Sequence, residues 1–226
     1  MNARIGDDNV VLRAKAEVAA ANAELHSLRE IWERLVSGAY RVVDTFSDEQ
    51  SCYLVLTQAA PGKPPLSPFQ VEVLEKVLCG VGQKLVAFEH ACSCSTITTS
   101  ARQALAELGV DCQPSRVPLP LVLAAQASNV SNRHLAARVA SFLHDKQTYR
   151  VVSMPRPDCH LDESLSPAEV EVVRGRIEGW SHQTIAGVRR TSVRTVANQL
   201  ASAARRLGSS GRLEIISRLM APPTQC

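Results

Sequence analysis

Residues Leu165 to Gly208 read LSPAEVEVVRGRIEGWSHQTIAGVRRTSVRTVANQLASAARRLG, a run in which helix starts and stops are spelled out locally. Ser166 is a natural N-cap, Pro167 suits the first helical position, and Glu169 falls three residues past the cap. Val170, Val173 and Ile177 supply an apolar face, and Gly179 ends the helix. Ser181 then caps a second short helix, His182 to Val188. Thr191-Ser192 makes the turn into a third helix that runs to Leu207 and closes at Gly208, and Arg212 opens a fourth through Leu213, Ile215, Ile216 and Leu219. The third helix carries Arg194, Thr195, Asn198, Gln199 and Ser202 beside apolar Val196, Leu200, Ala203 and Ala204. Two short helices joined by a tight turn, the second polar on one face, form a layout that lets a helix enter the major groove of DNA.

The same run occurs twice. A shift of 99 residues lays Leu66–Gly109 on Leu165–Gly208 without a gap, with Leu66-Ser-Pro68 on Leu165-Ser-Pro167 and Val71-Glu-Val73 on Val170-Glu-Val172. Gly80 falls on Gly179, Ala87 on Ala186, Ser93 on Ser192, Thr96 on Thr195, and Leu108-Gly109 on Leu207-Gly208. Matches at caps, glycines and apolar positions together indicate a duplicated unit.

Upstream, residues 10 to 37 read as one long helix with an apolar seven-residue repeat. Val11, Val18, Leu25 and Trp32 fall at position a, and Ala14, Ala21, Leu28 and Leu35 at position d. That register fits either a coiled-coil homodimer or packing on the chain's own domain. Tyr40–Asp44 and Cys52–Thr57 read as two strands around a Ser47–Gln50 turn, and Pro61–Pro65 as a stiff linker. A shorter strand is expected at Tyr149–Val152, whose Tyr-Arg-Val-Val repeats Tyr40–Val43. The expected fold is therefore mainly α: a long N-terminal helix and a small β-hairpin (1–65), then two tandem four-helix helix-turn-helix modules (66–125 and 165–226). A helical connector with a short strand (126–164) separates the modules.

Leu165–Val173, Gly179-Trp-Ser181, Ile185-Ala186, Ser192–Val196 and Arg206-Leu-Gly208 together resemble the LuxR/GerE-type helix-turn-helix family. The resemblance covers nearly all of the C-terminal module, and residues 66–125 resemble the same module more distantly. It implies a bacterial transcription regulator that binds double-stranded DNA as a homodimer through its third helix. The chain departs from the family's pattern in its reading helix. Ala197 replaces the usual basic residue, Gln199 the usual His, and Arg189-Arg190 the usual Leu-Gly ahead of the turn. Asn198, which can pair with an adenine edge, and Arg194 remain as base readers. Ser192, Thr195, Gln199, Arg206 and Arg212 are phosphate candidates, and Ser202 shares their polar face.

Charge distribution favours the same end. Residues 165–226 hold nine Arg against four Glu, whereas 66–125 hold four basic residues against five acidic ones. The first module's third helix (Ser93 to Leu108) offers hydroxyls but little cation, which fits packing better than phosphate neutralisation. No secretion signal or membrane-length apolar run is read, so a cytoplasmic location is expected, and the seven Cys are read as free thiols. His90, Cys92 and Cys94, with Cys79 and Cys112, invite a metal or redox reading. Repeat alignment instead gives Cys92 a small apolar role, so neither a metal nor another cofactor is expected. No enzyme motif is present, and Asp158, His160 and Asp162 read as solvated loop residues. Two functions stay open. One is a DNA-binding regulator; the other is a non-enzymatic scaffold whose modules bind another regulator or a polymerase component.

Overall fold

The structure, a computed structural model, describes residues 8–19, 23–62, 64–129, 136–158, 161, 165–209 and 211–220. Among the described residues it is 54% helical and 20% strand, an α+β fold rather than mainly α with one hairpin. The first half runs α1 (Asp8–Ala19), β1 (Glu24–Ser27), α2 (Leu28–Val36), β2 (Tyr40–Ser47), β3 (Ser51–Gln58), α3 (Pro68–Leu78), α4 (Gln83–Glu89), α5 (Cys94–Glu107) and α6 (Leu119–Asn129). The second half follows with β4 (Ala136–His144), β5 (Gln147–Pro155), α7 (Pro167–Ile177), α8 (His182–Val188), α9 (Val193–Arg206) and α10 (Arg212–Met220). One antiparallel sheet of order β1-β4-β5-β3-β2 joins them.

Each half contains a hairpin followed by four helices, and α1, β1 and α2 precede the first hairpin. In the first hairpin, the Asp48 carboxylate takes the N–H groups of Gln50 (3.1 Å) and Ser51 (2.9 Å), an Asx turn that sets the bend. The second turns tightly at Asp145 and Lys146, both at positive φ (47° and 63°), as a two-residue hairpin requires. Strand sides alternate. Cys52, Leu54, Leu56, Val152 and Met154 face the main core beneath α2 and α6, while Tyr53, Val55, Phe142, Tyr149 and Val151 face Ala14 and Val18 of α1. The molecule therefore has three layers: α1, the sheet, and the remaining helices.

Two expectations fail here for identifiable reasons. The helix expected over 10–37 is broken by β1, which pairs with β4 from Glu24↔Val139 to Ser27↔Ala136. Ser27 caps α2 instead, its Oγ accepting the Arg29 N–H at 3.2 Å. The apolar repeat is real but divided. Ala14 and Val18 pack on the sheet; Leu28, Trp32 and Leu35 pack in the main core; and Leu25 is 73% exposed on the edge strand. Ala21 lies outside the described residues. Five of the eight seam residues (Ala14, Val18, Leu28, Trp32 and Leu35) are thus buried within the chain.

The connector expected over 126–148 is the second failure. Ala136–His144 is strand β4, paired on both sides by β1 and β5. Its alternation of Ala137 and Val139 with Ala140 and Phe142 has period two, but alanine and apolar residues on both faces blur the signal. The two Tyr-Arg-Val-Val segments also prove non-equivalent, since Tyr40 opens the first strand of its hairpin and Tyr149 lies in the second strand of the other.

Both four-helix units keep the capping box at their start. Ser67 N–H donates to Gln70 Oε1 (2.9 Å) and Ser166 N–H to Glu169 Oε2 (2.9 Å), each reciprocated from the third residue's N–H. Each unit also holds a small satellite core: Val73, Val86, Ala87 and Ile97 in the first, Val172, Ile185, Ala186 and Val196 in the second. These sets superpose residue for residue under the 99-residue shift. The first unit is anchored to the sheet where α5 ends, Val42 N–H donating to Leu108 O at 2.8 Å. Gly109 there has φ +97°, and a Cβ would lie 2.3 Å from Val42 O. Gly109→Ala is expected to cost roughly 3 kcal/mol or more, combining left-handed strain with a backbone clash. Gly208→Ala, which would meet only the Arg218 side chain at 3.1 Å, should cost about 1 kcal/mol in the same urea titration.

Candidate nucleic-acid interface

α9 begins at Ser192, whose Oγ accepts the Thr195 N–H at 3.0 Å and lies 2.9 Å from Thr195 Oγ1. Val196 and Ala203 are buried against α7 and α8, which leaves the opposite face of the helix to solvent. Ser192, Arg194, Thr195 and Asn198 share that exposed face near the N-terminal end. With Arg206 they form the exposed part of the sequence-derived set.

Four members of the set, Arg206 included, bond to other groups of the protein. Gln199 is half-buried, its Oε1 accepting from Arg189 Nη1, while Arg189 Nε pairs with Glu171 at 2.9 Å. Ser202 is half-buried and contributes a hydrogen bond to the Glu169 carboxylate. Arg206 Nη1 pairs with Glu169 Oε2 at 3.0 Å, although its side chain stays 53% exposed. The Ser166 backbone N–H, then the Ser202 and Ser166 hydroxyls, hold the Glu169 carboxyl down at about 2.

Arg212 departs furthest from its expected role. It is 4% exposed and donates to Ile177 O through Nε (3.1 Å) and Nη2 (2.7 Å), and to Val117 O through Nη2 (2.6 Å). Burial pushes its guanidinium down to about 10, with Arg176 adding like charge, so the group is still a cation at neutral pH. A side chain so placed braces two helix ends and does not meet phosphate.

Two cations are more prominent than the sequence motif indicated. Arg205 is exposed about two helical turns beyond Asn198, and Arg190 is exposed in the turn ahead of α9. Arg190 sits at φ +50°, in the left-handed region, and its counterpart Ala91 in the first half sits at φ +48°. The turn geometry itself imposes that conformation, so a bulky residue there is retained against a backbone cost. The departure from glycine at this position was legible in the sequence, but not its conformational consequence.

Asp158, read from sequence as solvated, is 2% exposed and held by Arg156 (2.8 and 3.0 Å) and Arg174 (3.4 Å). Arg156 also reaches Glu178 and the carbonyl of Asp48, and Ser47 donates to Glu178 at 3.3 Å. This cluster ties the first hairpin's turn to α7, fixing the second unit against the sheet. His160 and Asp162 lie outside the described residues. Cys92 packs at the edge of the first satellite core, and Cys94 is exposed at the start of α5. Among the described residues no helix is long and apolar enough to cross a membrane. No protein-family model, curated protein or solved structure matches this chain.

Two variants separate bracing from surface roles. Arg212→Ala leaves the Ile177 and Val117 carbonyls without their partner and is expected to lower unfolding free energy by about 3 kcal/mol. Arg190→Gly removes the left-handed penalty and is expected to raise it by about 1 kcal/mol. Chemical denaturation of both proteins checks the opposite signs.

Proposed function

We propose that the chain is a DNA-binding transcription regulator in which α9 enters the major groove of double-stranded DNA. The observation that carries this reading is the exposed face of α9, where Arg194, Thr195 and Asn198 project together from the helix's N-terminal turns, with Arg190 ahead of it and Arg205 beyond. Asn198 is the base reader, able to make paired hydrogen bonds to an adenine edge, and Arg194 can do the same with guanine. Ser192, Thr195, Arg190 and Arg205 serve the phosphates. With Ala197 in place of a basic residue and Gln199 engaged by Arg189, affinity comes chiefly from backbone contacts.

The alternative, a scaffold whose units bind another regulator or a polymerase component, draws on one observation in the first half. α4 exposes Leu85 (53%) and Phe88 (84%) where the second half has Thr184 and Gly187.

Fluorescence polarisation of the full chain against random duplex across a salt series distinguishes the readings. DNA binding predicts a log–log loss of affinity with salt, a slope shallower by about one for Arg190→Ala and again for Arg205→Ala, and a preference relaxed at one base pair for Asn198→Ala. Absence of binding at low salt, or binding without a salt slope, would remove the DNA reading and leave the scaffold.

A further inference from the structure

The two halves meet as two subunits related by a two-fold axis would meet. β3 and β5 lie side by side at the centre of the sheet, antiparallel, with Leu54 opposite Val152. A shift of 98 residues carries Leu54 onto Val152, Leu56 onto Met154 and Tyr53 onto Val151, each staying on its own side of the sheet. The helices superpose at 99. Because strand sides alternate, only an even shift serves the sheet, and the odd residue is absorbed in the loop before α7.

Any antiparallel strand pair has such an axis; contacts among the helices carry it, in approximate form, beyond the sheet. Gly80, after α3, packs on Leu213 and Glu214 of α10, and its equivalent Gly179, after α7, packs on Arg116 ahead of α6. Gln126 Nε2 donates to Leu78 O (2.8 Å) in its own half and to Leu213 O (3.0 Å) in the other. Arg212 does the same in reverse, to Ile177 O in its own half and Val117 O across the seam. Leu78 and Ile177 are equivalent under the repeat. Gln126 and Arg212 are not themselves equivalent, but they hold equivalent helix ends to the opposite half, which approximates an isologous interface built within one chain.

We infer that one chain is the complete DNA-binding unit, its first half standing where a second copy would otherwise stand. This rests on the DNA reading above and specifies the ligand: a two-part duplex site that is asymmetric. α9 reads one part. α5 presents Ser95, Thr96, Thr99, Arg102 and Gln103 to solvent, and Lys84 is exposed on α4, a surface that can hold phosphates but has little to discriminate bases. A symmetric homodimer would select an inverted repeat; this chain selects a single defined half-site with a tolerant flank.

The test is selection of duplexes from a random pool by the full chain, followed by native mass spectrometry of the complex formed with the selected duplex. The expected result is one chain per duplex and a motif without an inverted repeat. Lys84→Glu with Arg102→Glu, both exposed changes, should weaken binding to the selected duplex and make the salt slope shallower by about two, with the motif unchanged. Two chains per duplex on an inverted repeat would overturn the inference while leaving the DNA reading intact, as would a double variant with unaltered affinity and slope. Failure to bind any duplex in a salt-dependent way would overturn both.

Discussion

The pairing of β3 with β5 is the constraint from which the rest of the molecule follows. Seven residue pairs, from Ser51↔Pro155 to Thr57↔Tyr149, join strands that come from different halves of the chain. Once they are in register, each hairpin's outer strand lies at its own side, and the four helices that follow each hairpin are delivered to the same face of the sheet. Leu54, Leu56, Val152 and Met154 then share one core with residues of both helical units. Burial of such side chains is worth about 1.5–3 kcal/mol apiece, so the sheet centre binds the halves far more firmly than a linker could.

Polar groups along the seam set the relative position of the halves rather than adding much net stability. Arg212 and Gln126 each satisfy a helix-end carbonyl at home and another carbonyl across the interface. The Arg156–Asp158–Glu178 cluster fixes the first hairpin's turn to α7. Desolvated charges of this kind cost nearly as much to bury as they return, but leaving any one partner alone is expensive. They therefore discriminate against other packings of the same two units. The consequence reaches the surface: α9 is held by α7, α8 and the Glu169–Arg206 pair, so its exposed face is presented by a fixed frame.

The sequence showed local structure far better than it showed the sheet. Caps and stops are short-range chemistry, and Ser166, Ser181, Ser192, Gly179 and Gly208 mark the ends of helices α7 to α9 without reference to anything distant. The repeat was legible for the same reason, because its matches fall at those positions. β1 and β4 were not legible: Glu24–Ser27 carries no strand pattern and becomes one by pairing with β4, which is itself alanine-rich. The seven-residue apolar repeat misled because two separate helices can share a phase across a break. For the site, exposure was foreseeable for residues a turn apart on α9, but the burial of Arg212 depends on Val117, 95 residues away in sequence.

The two copies show which positions answer to the fold and which answer to something outside it. Pairs buried in both halves differ by at most a methyl group or two: Val73 with Val172, Val86 with Ile185, Ala87 with Ala186, Ile97 with Val196, Ala104 with Ala203. Apart from the capping pairs Ser93 with Ser192 and Thr96 with Thr195, exposed positions around the third helix do not persist in this way. Ser95 becomes Arg194, Thr99 becomes Asn198, Ala106 becomes Arg205 and Ala91 becomes Arg190, and each exchange adds a cation or an amide to the second half. Packing cannot account for those exchanges, since each side chain lies in solvent and Ala91 and Arg190 share one strained backbone conformation. A duplicated frame with a shared interior thus carries two different surfaces: the packing positions answer to the fold, and the exposed turn and third helix of the second half are the more cationic.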